Sequence, residues 1–229
     1  ELEFMHTSPD LNLYVYPEAI DYVDARPLDA TWHRLDSSVR DVEDDSLAVV
    51  DLDEHPGAAL IYLSLGSLGS ADVDLMRRLV EMLSTAPHRF IVSMGPCHEE
   101  LELADNMVGA EFLPQTRILP LVDLVITHGG NNTTTEALHF GKPMVVLPLF
   151  WDQYDNAQRL DETGLGVRLD TYTCSKEELH STIDRLVHDG ALHARLAELA
   201  SQIQARDGLT RAAELIETLG LSRRPDGQH

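Results

Sequence analysis

Residues 123–136 read Asp-Leu-Val-Ile-Thr-His-Gly-Gly-Asn-Asn-Thr-Thr-Thr-Glu, and Ala-Leu-His-Phe-Gly follows. Residues 123–127 form a short aliphatic run, the pattern of a strand buried on both faces. Residues 132–140 read as a helix stopped by Gly141. Between them Gly129 and Gly130 let the backbone turn sharply and approach a ligand closely. Asn132 or Thr133 is placed to cap the helix, so that its free N–H groups and positive dipole end face whatever lies beyond the strand. That dipole contributes roughly 0.3–1 kcal/mol to a bound anion, and up to ~2 when partly buried. His128 adds a donor suited to phosphate, and Glu136, one turn into the helix, an acceptor suited to ribose hydroxyls. The plainer alternative is a capped helix start beside a core histidine.

The same alternation extends to both sides. Upstream, the apolar run 59–65 leads into Gly66-Ser67-Leu68-Gly69, then a helix over 73–83 with apolar side chains at Leu75, Met76, Leu79, Val80 and Leu83. Residues 90–94 form another buried strand, followed by Gly95-Pro96. Downstream come a strand over 143–147 ended by Pro148, a helix over 155–163, a strand over 166–169 and a mostly helical tail over 175–219. Strands rich in Val, Ile and Leu that alternate with helices specify an α/β fold, a Rossmann-like parallel sheet with helices on both faces. Such sheets bind ligands beyond the carboxyl ends of their strands. The residues that matter most are therefore 66–70, 95, 127–135 and 150–153.

Residues 1–57 differ from the rest. Residues 11–16 alternate like one strand ended by Pro17, an acid-rich stretch runs from residue 36 to 54, and Pro56-Gly57 closes it. We read one strand plus a linker, with the main domain over 58–229. The opening Glu-Leu-Glu-Phe before Met5 reads as a cloning scar.

Composition narrows the partners. The chain has 229 residues, 39 acidic and 17 basic side chains, and a formal net charge of −22. Nucleic acid and anionic membrane surfaces both require clustered cations, which are not visible here. The longest apolar run, 144–151, has eight residues and contains Pro148, against about 20 for a bilayer span. We expect no nucleic-acid or membrane partner and a cytoplasmic location. Cys97 and Cys174, the two cysteines, read as free thiols. Asp72-Val73-Asp74 and Asp51-Leu52-Asp53 imitate a metal-binding pair, but Asp72 and Asp74 suit the first turn of a helix instead. The eleven histidines show no metal-ligand spacing, so no metal is expected. Gly164-Leu165-Gly166 precedes a strand and reads as a turn.

Two further segments carry chemistry. Asp152-Gln153, after the strand 143–147, pairs a carboxylate with an amide, a combination suited to vicinal hydroxyls. Phe112-Leu113-Pro114-Gln115 sets an aromatic ring near an amide, able to stack on a base and read its edge. Each taken singly also fits a plain turn.

Together, Phe112-Leu-Pro-Gln115, His128-Gly-Gly-Asn-Asn-Thr133, Glu136 and Asp152-Gln153 resemble the donor-binding signature of the UDP-glycosyltransferases, glycosyltransferase family 1, over roughly residues 9–219. The short gap between Gln115 and His128 is more similar to the bacterial, macrolide-type branch than to the plant one. The resemblance implies the carboxy-terminal half of a GT-B fold. It implies that Phe112 stacks on the base and the Leu113 backbone meets its edge. It implies that Gln115 and Glu136 hold the ribose, that Ser67, His128, Gly130, Asn132 and Thr133 bind the diphosphate, and that Asp152 and Gln153 hold the sugar. Phe112 stands where plant members usually have Trp. Asn131 stands where plants have Trp and many bacterial members His. UDP-sugar and dTDP-sugar both stay open as donors.

In that family the general base is a histidine in an amino-terminal domain that also forms the acceptor pocket. No catalytic residue is therefore assigned here, and His128 falls on a phosphate position. The implied activity is inverting transfer of a hexose from a nucleotide diphosphate sugar to a hydroxyl of a small-molecule acceptor, without a cofactor. The resemblance further implies that this chain alone is inactive. The rival reading is a non-catalytic nucleotide-sugar-binding subunit working with a partner chain. A sugar-nucleotide epimerase half shares the fold but leaves Asp152-Gln153 and the 112–115 block without a role.

Overall fold

Six short runs of aliphatic and aromatic residues pair side by side into one parallel sheet. The computed structural model describes residues 7–23, 25, 27–39 and 57–222. The expected scar at residues 1–4, most of the acidic linker with Asp51 and Asp53, and the chain end at 223–229 lie outside the described residues. Strands β1 (Asn12–Tyr14) and β2 (Trp32–Arg34) pair with each other. Strands β3 (Leu60–Ser64), β4 (Arg89–Ser93), β5 (Met107–Ala110), β6 (Leu124–Thr127), β7 (Met144–Val146) and β8 (Gly166–Arg168) form the main sheet in the order β5-β4-β3-β6-β7-β8. All of its pairings are parallel. Successive side chains of β6 and β7 are all buried, which requires cover on both faces and agrees with the expected class.

The strand order reverses direction between β3 and β6, a topological switch point at which open α/β sheets bind ligands. The register brings the strand ends into one row: Ser64 lies opposite Ser93 and Thr127, and Thr127 opposite Val146.

The helices are α1 (Gly66–Gly69), α2 (Val73–Leu83), α3 (Gln115–Ile118), α4 (Asn131–His139), α5 (Asp152–Glu162), α6 (Lys176–His188), α7 (Gly190–Gln204) and α8 (Gly208–Ser222). In α2 the expected apolar positions Leu75, Met76, Leu79, Val80 and Leu83 are buried. Asp72 caps that helix by accepting from the Leu75 N–H at 3.1 Å. Ser175 and Asp189 cap α6 and α7 in the same way.

Three expectations need correction. Residues 11–39 hold two strands and a 3-10 turn (Glu18–Ile20), not one strand and a linker. Trp32-His33-Arg34 escaped notice because the strand is brief and mostly polar. An edge-on contact of Tyr14 with Trp32 and ion pairs from Arg34 to Glu18 and Asp21 hold it, rather than an apolar run. Strand β5 was missed because it is a short edge strand containing Gly109. A side chain there would overlap the Val92 carbonyl. Helix α5 starts at Asp152, three residues before the expected start, because the chain turns directly into it after Trp151 (φ 54°).

The early segment is packed on the main domain. Ile20 is buried in the shared core. Arg159 donates to the Ile20 and Asp21 carbonyls and lies over the Tyr22 ring at 4.7 Å. Asp36, buried and at φ 58°, accepts from Arg206 and from the Glu18 N–H.

Candidate functional site

A cleft of about 450 Å³ opens at the switch point. Residues 65–68 line it beyond β3, His128 and Gly130–Thr133 beyond β6, Gln115 from α3, and Phe150 and Gln153 beyond β7. Seven of the eleven sequence-derived site residues therefore share one cavity: Ser67, Gln115, His128, Gly130, Asn132, Thr133 and Gln153.

Its floor is the glycine hinge. Gly129 takes φ +82°, and a side chain there would press on Val146 of β7. Gly130 is extended and is itself the N-cap of α4. The expected cap at Asn132 or Thr133 is thus displaced, because Gly129 completes the reversal early enough for the helix to begin at Asn131. No side chain caps α4, and its first bond into the cap runs from the Thr134 N–H to the Gly130 carbonyl at 3.0 Å. The amides of the opening turn are left for a ligand.

His128 is wedged between two glycines. A Cβ on Gly66 (φ +67°) would lie 2.9 Å from its Cε1, and one on Gly130 would overlap its ring. Burial pushes the imidazole below its ordinary pKa of 6.5, against the opposing pulls of a backbone hydrogen bond at Ser64 and the Asp152 carboxylate. With its pKa below 6.5, the ring carries one N–H at pH 7, and the Ser64 carbonyl takes it; the other ring nitrogen donates to an anion only once it gains a proton.

Gln115 and Glu136 are joined: Gln115 Nε2 donates to Glu136 Oε2 at 2.6 Å and lies 3.3 Å from the Thr133 hydroxyl. The Thr133 side chain is thus turned toward Gln115, and what it presents to an anion is its backbone N–H. Phe112, three positions before Gln115, is 66% exposed, and Leu113 is half-buried against the core. Asp152 is exposed in the first turn of α5. Gln153 is buried, and its Oε1 accepts from the Leu149 and Phe150 N–H groups at 2.9 and 3.1 Å. That leaves its NH₂ as the group able to meet a hydroxyl.

The cleft also uses residues to which sequence reasoning gave no role: Leu65, and, within the stretches singled out after the strands, Gly66, Leu68, Asn131 and Phe150. Gly66 carried a signal, a glycine just past a buried strand. Leu68 and Phe150 carried only their position just after a strand, since isolated apolar residues in loops are ordinary. A larger concavity of about 540 Å³ lies between the β1–β2 pair and α8. It is away from the main sheet's strand ends, and its Arg34 and Arg206 are already held by Glu18, Asp21 and Asp36.

Known proteins resemble this chain in sequence and fold. Residues 52–209 match the family described as UDP-glucoronosyl and UDP-glucosyl transferase. The NDP-glycosyltransferase YjiC of Bacillus subtilis is 31% identical over 178 residues, 76% of this chain and 44% of that protein. The oleandomycin glycosyltransferase of Streptomyces antibioticus is 31% identical over 72% of this chain and 40% of its own length. Among solved structures, the glycotransferase of kitacinnamycin superposes with a TM-score of 0.75 at 27% identity, covering 92% of this chain and 55% of that one. The spinosyn rhamnosyltransferase SpnG complexed with thymidine diphosphate gives a TM-score of 0.71 at 25% identity, covering 91% of this chain and 57% of that one. The chain spans less than half the length of these two sequence relatives. The sheet and its helices are those of a GT-B glycosyltransferase half, and the chain belongs to the UDP-glucoronosyl and UDP-glucosyl transferase family.

Proposed function

We propose that this chain is the donor-binding half of an inverting glycosyltransferase that moves a hexose from UDP-sugar or dTDP-sugar to a hydroxyl of a small-molecule acceptor. The observation that carries the proposal is the uncapped start of α4 facing the switch-point cleft beside the His128 ring. Amides at a helix start, together with a donor side chain, favour a diphosphate. Ser67, Gly130, Asn132 and Thr133 complete that cradle. The joined pair Gln115 and Glu136 meets the ribose, Phe112 stacks on the pyrimidine, and the Leu113 backbone reads its edge. Asp152 and the Gln153 NH₂ hold the sugar.

In the reaction, an acceptor hydroxyl attacks the anomeric carbon, the bond to the diphosphate oxygen breaks, and the configuration inverts. The hydroxyl's proton goes to a base outside the residues assigned here. The diphosphate's charge favours the protonated His128 ring, and as charge grows on the departing phosphate the α4 amides and that ring stabilise it. We assign this task to these groups without a metal or cofactor. No helix among the described residues is long and apolar enough to cross a membrane. The free Cys97 and Cys174 suit a reducing cytoplasm. The net charge of −22 opposes a nucleic-acid partner.

Calorimetric titration with UDP, dTDP and GDP tests the reading. A pyrimidine nucleotide binds and GDP binds far more weakly. Equal, negligible heats for all three remove the donor-site assignment.

A further inference from the structure

We infer that Asn156 is a positioning residue for the donor diphosphate and that Tyr16 acts through it, so that a side chain of the early segment helps to set the geometry of the anion cradle. The inference rests on the donor-site reading.

Residues three apart on a helix share a face. On α5 that face carries Gln153, Asn156 and Arg159, and each holds a different piece of backbone. Gln153 holds the 149–150 loop. Arg159 holds the carbonyls of Ile20 and Asp21. Asn156, between them and 3% exposed, donates from Nδ2 to the Gly129 carbonyl at 2.8 Å, and its Oδ1 accepts from the Tyr16 hydroxyl at 2.7 Å. The polarity of this chain is forced. A carbonyl has nothing to donate, so the Asn156 NH₂ must face Gly129 and its oxygen must face Tyr16. Burial raises the Tyr16 phenol above its ordinary pKa, so it keeps the proton that it donates.

A second tie supports the first. Asn131 Nδ2 donates to the Val15 carbonyl at 3.1 Å. Consecutive residues of the early segment, Val15 and Tyr16, thereby grip the chain on both sides of Gly130, one directly and one through Asn156. Gly129 needs this grip. It has no side chain and sits at φ +82°, and glycine is the residue with the most backbone freedom to lose. The orientation of the 129–130 peptide decides where the first amides of α4 point. Fixing it beforehand removes an ordering cost from diphosphate binding.

A merely structural role makes a different forecast. It lowers stability and leaves the preference for UDP over uridine untouched, because both ligands carry the same nucleoside. The test uses the full 229-residue chain with Tyr16→Phe, Asn156→Ala and the double variant. Tyr16→Phe keeps the ring and removes only the O–H, which guards against a misfolded Asn156→Ala. Two readouts are taken: hydrogen exchange of the 128–134 amides without nucleotide, and affinities for UDP and uridine. We expect faster exchange at the hinge and a roughly three- to tenfold loss for UDP, the range set by one hydrogen bond, with uridine unchanged. The double variant should be no worse than Asn156→Ala. An unchanged UDP-to-uridine ratio, or unchanged hinge exchange, overturns the inference while UDP binding by the parent chain keeps the donor reading. No UDP binding by the parent chain overturns both.

Discussion

Gln115 on α3 and Glu136 on α4 are 2.6 Å apart, joined Nε2 to Oε2 across the mouth of the switch point. Twenty residues of chain separate them, yet they form one polar unit with the Thr133 hydroxyl. A ribose seated there meets both side chains together. Glu136→Ala should therefore weaken UDP and uridine by the same factor, about tenfold or more, since hydrogen bonds to charged groups are worth roughly 1.5–3 kcal/mol. Parallel titrations check this. A loss confined to UDP places Glu136 on the diphosphate instead.

His128 should behave in the opposite way. Its ring lies between Gly66 and Gly130, next to the α4 amides rather than the Gln115–Glu136 pair. His128→Ala should weaken UDP by roughly tenfold, the worth of the N–H that the ring gains beside a charged oxygen, and leave uridine unchanged. Equal losses for the two ligands contradict the assignment.

Gly66→Ala tests the packing behind His128. The substitution forces an L side chain to φ +67° and into the imidazole. It should cost about 1–2 kcal/mol in stability from the left-handed backbone alone, and should also weaken UDP by moving the ring. Gly190→Ala is the control: nothing lies within 4 Å of its added carbon, and it starts helix α7. Denaturant unfolding should show no destabilisation there. Equal effects at the two sites contradict the account.

Stability should depend on pH through two histidines. Burial holds His128 and His139 below their ordinary 6.5, so below about pH 6.5 the unfolded chain binds more protons than the folded one. Their contribution is present above that pH and lost as pH falls through the folded values. Thermal midpoints measured from pH 7.5 to 5 should fall with acid, and the double variant His128→Gln/His139→Gln should fall less steeply. Identical slopes contradict it.

Asp36 ties the early segment to the α7–α8 corner through Arg206, which also reaches Glu18 at 2.7 Å. Asp36→Ala should cost roughly 1.5–3 kcal/mol, because it removes a buried charged acceptor that holds Arg206 and the Glu18 N–H. Arg206→Ala should cost less, since its side chain is 38% exposed and Arg34 stays beside Asp36. Chemical unfolding of both variants measures the order, and the reverse order contradicts it.

The parallel sheet was legible because Val, Ile and Leu runs punctuated by glycine or proline admit few other readings. The candidate cleft was legible in polar residues such as Gln115 and His128, which open a helix or follow a strand at the switch point, and Glu136 joins it through its bond to Gln115. What escaped depends on contacts that a local pattern does not carry. Strand β2 is held by Tyr14 and by ion pairs from Arg34 to Glu18 and Asp21, 16 and 13 positions earlier in the chain, not by its own hydrophobicity. Asn156 looked like any polar helix residue, and only the folded chain brings it between Tyr16, 140 positions away, and Gly129. The cap of α4 was misplaced because Asn and Thr are the usual capping residues, whereas here an extended glycine takes the position.

A crystal structure of the chain grown with UDP tests the central claim most directly. The account predicts the diphosphate at the amino end of α4, within hydrogen-bonding distance of the amides of residues 131–133 and of the His128 ring, with the ribose at Gln115 and Glu136. UDP seated elsewhere, for example in the concavity beside Trp32 and Arg206, would contradict it.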